Sequence, residues 1–175
     1  MGQHATVSIV VMGVQGVGKT TIGTLLAERL GVPFIDGDRL HPTRNVELMA
    51  SGRPLTDEDR EPWLRRVGES LAEHRATGGL VIVCSALRRS YRELLRGFDP
   101  EVFFVEPYGP IELVARRIGG RTHEYMPPAL LQSQYDTLEP LGDDERGMRV
   151  SVEPTPEAIV DRVLERYLAT AGERA

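Results

Sequence analysis

Residues 13–21 read GVQGVGKTT and follow directly on the apolar run VSIVVM at 7–12. Gly13, Gly18, Lys19 and Thr20 satisfy G-x-x-x-x-G-K-[ST], the phosphate-binding P-loop. Its glycines let the backbone turn tightly. The successive N–H groups of Gly13, Val14, Gln15, Gly16, Val17, Gly18, Lys19, Thr20 and Thr21 then face inward as an anion-binding nest. The segment KTTIGTLLAERL predicts a helix over 19–30, whose positive N-terminal end faces the same anion. In such a loop the lysine reaches the β- and γ-phosphates of ATP and the Thr20 hydroxyl binds Mg²⁺.

Composition supports a working loop. Of 21 basic residues only Lys19 is a lysine; the rest are arginine. A compact ammonium is kept at the one place where a larger planar guanidinium does not fit. With 175 residues, 41% of them apolar, the chain is expected to be one domain, residues 1–175. No apolar stretch reaches 18 residues, so no membrane span is expected, and MGQHATVSIVV lacks the basic segment of a secretory signal. Cys84 is alone, which excludes an internal disulfide and suits the cytoplasm. A net charge of −5 argues against nucleic acid as a partner and requires a local arginine cluster for any anionic substrate.

The remaining sequence alternates strand and helix. TVSIVVM, PFIDGD, GLVIVCSAL, EVFFVEP and MRVSVEP read as five strands. HPTRNVELMAS, TDEDREPWLRRVGESLAEHRA, RRSYRELLRGF, PIELVARRI, PPALLQSQYDTL and TPEAIVDRVLERYLAT read as helices, with Thr56 or Asp57 capping the second of these. That alternation implies an α/β fold in three layers, a parallel sheet covered on both faces. GGRTHEYMPP, at 119–128, is the long irregular stretch, with the charge and glycine content of a mobile lid.

P-loops serve several chemistries. A GTPase needs an Asn-Lys-x-Asp base reader, which a chain with one lysine cannot supply, and the chain is short for a motor ATPase. A small kinase remains. Asp36 and Asp38 stand two apart at the end of the second strand, where open α/β sheets bind ligands. Residues i and i+2 share one face of a strand, so both carboxylates would point at the phosphate site. Asp36 would then join the Mg²⁺ shell with Thr20, while Asp38 accepts the proton of an attacking hydroxyl. The alternative for this pair is an Asp-Gly-Asp turn that caps the next helix.

The stretches DGDRLHPTRNVELMASGRPLTDEDREPWL, CSALRRSYRELLR and LLQSQYDTLEP, together with the P-loop, closely resemble the gluconate kinase (gluconokinase) family over residues 7 to about 145. The resemblance implies the nucleoside monophosphate kinase-like P-loop fold, close to shikimate kinase, and a homodimer. It also implies transfer of phosphate from MgATP to the C6 hydroxyl of D-gluconate. On the matching positions, Asp38, His41, Arg44, Asn45, Arg60, Ser85, Ala86, Arg88 and Gln134 are the implied substrate contacts. Arg117 and Arg121 are the implied lid arginines, catalytic with Lys19 and Asp38. His41 and Asn45 can equally serve capping or helix–helix hydrogen bonds, and Arg60 can pair with Asp57 and Asp59. Trp63 reads as core. The chain departs from the family pattern at Leu48, where a lysine is usual, and at Glu124–Tyr125 in the lid, with His123 one place earlier. Two other readings stay open: a kinase of another sugar acid or polyol, and a nucleotide-binding sensor that transfers nothing.

Overall fold

A strand that is apolar on both faces must be covered on both, and β1 (Val7–Val11) is buried at every position. The computed structural model describes residues 5–120 and 128–173. The chain continues through α1 (Lys19–Leu30), β2 (Phe34–Asp36), α2 (Thr43–Ala50), α3 (Asp57–His74), β3 (Gly79–Val83) and α4 (Arg89–Phe98). It closes with β4 (Phe103–Tyr108), α5 (Ile111–Gly119), α6 (Pro128–Thr137), β5 (Gly147–Ser151) and α7 (Pro156–Gly172). The strands pair in parallel in the order β2-β3-β1-β4-β5, as the alternation of elements implied.

Two cores follow from the two-residue period of the strands. Ile9 and Val11 of β1 face α1, α5 and α7, where Ile22, Leu26, Val114, Ile159 and Val163 are buried. Val10 and Met12 face α3 and α4 and pack with Trp63, Leu64, Val67 and Leu95. Each such fully buried apolar side chain contributes roughly 1.5–3 kcal/mol relative to exposure. These two cores hold the strand ends in one plane, and the loops leaving those ends form the site.

Local signals set the helix starts. Thr56 caps α3: its hydroxyl accepts from Asp59 N–H while the Asp59 carboxylate accepts from Thr56 N–H, a complete capping box. Among the described residues no helix is long and apolar enough to cross a membrane.

Strands stop short of the expected ends, two of them at the site. PFIDGD stops being a strand at Asp36, because Asp36 Oδ1 accepts from Asp38 N–H at 3.0 Å and starts a 3₁₀ turn over Gly37–Leu40. Asp38 therefore lies on a turn and does not share a strand face with Asp36. GLVIVCSAL likewise ends at Val83, and residues 84–88 run irregularly into α4. Ser85 O there accepts from Gly13 N–H at 3.0 Å, tying the β3–α4 loop to the P-loop.

Candidate active site

The P-loop leaves the C-terminal end of β1 and returns as α1. Gly13, Gly16 and Gly18 have φ of 127°, 80° and 105°, values that side-chain-bearing residues rarely adopt, which is why the motif spaces glycines there. Lys19 is only 9% exposed, and its Nζ donates to Gly13 O and Val14 O, both at 2.9 Å. An ammonium has three protons, so one remains beyond these two bonds. Burial lowers the Lys19 pKa, and the nearby Asp38 carboxylate works against that fall.

Asp38 completes the pair. It is open to solvent on one side, yet the protein packed around it raises its carboxyl above the ordinary value. The Lys19 charge opposes that rise and Asp36 reinforces it. A carboxylate shifted upward beside a cation, at strand ends, is the electrostatic arrangement of a base facing a charged reactant. Asp36 Oδ1 is committed to its cap, while Oδ2 lies 4.0 Å from exposed Arg39 Nε.

Most of the residues expected at the acceptor lie on α2, α3 and the turn before them. Asn45 is buried and donates to Asp59 O at 2.8 Å and to His41 Nδ1 at 3.1 Å. His41 stacks on Trp63, ring centroids 4.1 Å apart. Trp63, buried as expected, donates Nε1–H to Gly37 O at 2.8 Å. Burial brings the His41 pKa down to about 4, with Arg60 adding to the shift, so His41 is neutral with Nδ1 as acceptor. Asn45 thus works between helices, whereas His41 keeps a half-buried edge beside the site. Arg44 is exposed and sits 3.5 Å from Asp59.

Arg60 donates to Leu55 O at 2.8 Å and to Tyr91 Oη at 3.2 Å, and no ion pair joins it to Asp57 or Asp59. Tyr91 in turn donates to Asp57, and Arg88 lies 4.0 Å from that same carboxylate. Arg60 and Arg88 therefore converge on one patch of an otherwise acidic chain. Ser85 is part-buried at its edge, whereas the Ala86 side chain is fully buried. Cys84 is buried and its thiol is pushed up to about 12, which makes it no nucleophile.

Two expected contacts lie elsewhere. Gln134 Oε1 accepts from the P-loop amide of Gln15 at 2.7 Å, so this side chain meets the phosphate nest. Arg117 donates to Val152 O at 2.8 Å. It borders a cavity of about 210 Å³ behind the P-loop, with Gly16, Thr21, Val152, Pro154 and Ile159 around it. A cavity of about 150 Å³ already accepts an aromatic ring. Reading the sequence missed this pocket, because its P-loop side is read as a phosphate site and its far wall, Val152, Pro154, Pro156 and Ile159, carries no motif. Arg121, His123, Glu124 and Tyr125 fall outside the described residues, as does most of the expected lid.

Thr20 and the carboxylates of Asp36 and Asp38 are hard oxygen donors that suit Mg²⁺. Among the described residues no group of three or more His, Cys, Asp or Glu is placed to hold a metal ion. A magnesium site of the kinase type takes one or two protein oxygens and completes its shell from phosphate and water.

The shikimate kinase family model matches residues 15–166. A gluconokinase of Gluconobacter oxydans (strain 621H) is 48% identical over 162 residues, covering 92% of this chain and 91% of its own. The crystal structure of a gluconokinase from Sinorhizobium meliloti 1021 superposes with a TM-score of 0.88 at 42% identity, covering 98% of this chain and 97% of that one. A shikimate kinase from Aquifex aeolicus superposes at 0.64 with 19% identity over 94% of this chain and 98% of its own, a likeness of fold alone. With its P-loop, its sheet order and relatives this similar along nearly their whole length, the chain belongs to the gluconokinase family, within the shikimate kinase-like P-loop kinases.

Proposed function

We propose that the protein transfers the γ-phosphoryl group of ATP to the C6 hydroxyl of D-gluconate, giving 6-phospho-D-gluconate. The observation that carries this reading is the charge coupling of Lys19 and Asp38 at the ends of β1 and β2, in a chain whose Arg60 and Arg88 gather around Tyr91 and Asp57. Family membership supports gluconate as that acceptor. By the same resemblance we place the enzyme in the cytoplasm as a homodimer.

The chemistry divides among named groups. The P-loop amides and Lys19 hold the β- and γ-phosphates and neutralise charge as the bond to the leaving oxygen stretches. Adenine enters the cavity that Arg117 borders, where a guanidinium can lie beside a flat ring. Thr20 and Asp36 would hold Mg²⁺, which would supply charge neutralisation across the phosphates. Asp38 holds the C6 hydroxyl and takes its proton, a task suited to a carboxyl raised toward neutrality. At the far end of the polyol, Arg60 and Arg88 receive the carboxylate, with Arg44, His41 and Ser85 along the chain.

An acceptor screen by ADP release over gluconate, other aldonates, shikimate and nucleoside monophosphates tests the proposal. Gluconate should raise turnover steeply over a low basal rate. Saturation by a different sugar acid, with gluconate at the level of buffer, would overturn the substrate; no stimulation by any acceptor would favour a nucleotide sensor.

A further inference from the structure

One buried charge pair lies outside the machinery described so far. Arg92 of α4 is fully buried and holds Glu145, also buried, through Nε at 2.8 Å and Nη2 at 3.0 Å. Its remaining nitrogen, Nη1, donates to Ala86 O at 3.0 Å and to Leu87 O at 3.4 Å. Glu145 also accepts from Gly142 N–H at 2.8 Å and from Arg96. Burial alone would raise its carboxyl, and these partners together outweigh that and bring it down to about 2.

Such a pair is weak evidence for stability, because desolvating both ions offsets most of their attraction. Its position suggests another use. Ala86 has φ of 40° and is the sole described non-glycine residue with positive φ. Alanine adopts that conformation at a cost and keeps it only when the surroundings impose it. The surroundings here are Arg92 on the carbonyls of residues 86 and 87, and Glu139 N–H donating to Leu87 O at 2.7 Å. The constrained loop carries Ser85 on one side and Arg88 on the other.

We propose that the Arg92–Glu145 pair is a positioning device that holds Ala86 left-handed, and thereby sets Ser85 and Arg88 at the acceptor. This rests on the reading of the 84–88 loop as an acceptor contact. Arg92 touches no reactant and acts only through the loop.

The test exchanges the pair for apolar residues of similar volume, Arg92→Met with Glu145→Leu, which leaves no unpaired buried charge. Assays use whichever acceptor the wild-type enzyme turns over fastest, so an error in the identity of the substrate does not affect the result. The expected outcome is a KM for acceptor raised roughly 5- to 30-fold, the equivalent of the left-handed cost of a non-glycine residue, with KM for ATP unchanged. Adding Ala86→Gly should return the acceptor KM to within about threefold of wild type, since glycine takes the left-handed region freely. A purely structural pair would give no such rescue. If the double variant does not fold, Arg92→Lys takes its place; it keeps a cation beside Glu145 but loses the fork that spans carboxylate and carbonyls. An unchanged acceptor KM in a folded variant, or no rescue by glycine, overturns the proposal.

Discussion

Gly37 stands between the two carboxylates of the site, and adding a single methyl there tests whether Asp38 must be held in place. A Cβ at Gly37 would lie 2.2 Å from Val83 O, against about 3.4 Å for ordinary contact. The neighbour is strand backbone, so it cannot swing aside, and the turn must move away from β3 by about 1 Å. It cannot move freely, since Gly37 O is held by Trp63 Nε1–H from α3 at 2.8 Å. Gly37→Ala therefore displaces Asp38 relative to Lys19. A 1 Å misplacement is worth about 10²-fold in rate, and the overpacking costs about 1–3 kcal/mol. For a chain of this size that lowers Tm by roughly 2–12 °C. The assay is kcat by ADP release, beside nucleotide affinity and a thermal melt at one pH. Nucleotide affinity should hold, because the P-loop is untouched. A variant whose Tm falls as expected while kcat stays within about threefold would refute the claim that the placement of Asp38 matters.

Three further outcomes are expected. Asp38→Asn, which keeps shape and one acceptor oxygen, should lower kcat about 10²–10³-fold with KM for ATP unchanged; a change under about threefold would remove Asp38 as the base. Lys19→Arg should lose about 10²-fold or more in kcat with the chain still folded, because the 9% exposed ammonium sits between two carbonyls at 2.9 Å with no room for a guanidinium; retained activity would contradict that fit. His41 has an ordinary value of 6.5 and a folded value of about 4, so between these the unfolded chain binds more protons and stability falls as pH drops through that window. His41→Gln should lessen that fall, read as urea midpoints at about pH 7 and about pH 5; an equal fall in both proteins would show that His41 does not contribute.

What the sequence revealed depended on how locally each feature is encoded. The P-loop is contiguous, and its glycines, lysine and threonine fall where the pattern put them. The strands were readable from continuous apolar runs, but their ends were not. Asp36 capping Asp38 is a side-chain choice that competes with the ladder and turns strand into 3₁₀ helix. Asn45 fits the family motif, yet a motif does not say whether an amide faces a ligand or a neighbouring helix, and here it spans His41 and Asp59 O. Gln134 and Arg117 raise the same question: each is a long side chain at one end of the sheet, and packing decides which neighbour it reaches, Gln15 N–H and Val152 O here. The cavity behind the P-loop and the Arg92–Glu145 pair, 53 positions apart in sequence, join segments that only the sheet order brings together.

The solitary lysine makes this protein its own reporter. An acylating reagent aimed at primary amines meets a single side-chain target, and that target is the residue on which the phosphates are proposed to rest. Burial lowers its pKa and so enlarges the reactive free-base fraction at neutral pH, while its partners Gly13 O and Val14 O guard the approach. The rate of labelling at Lys19 then follows the opening of the loop in the free enzyme and ceases when a polyphosphate covers the amine. Occupancy of the nucleotide site is thereby legible by mass from one peptide, with no engineered probe.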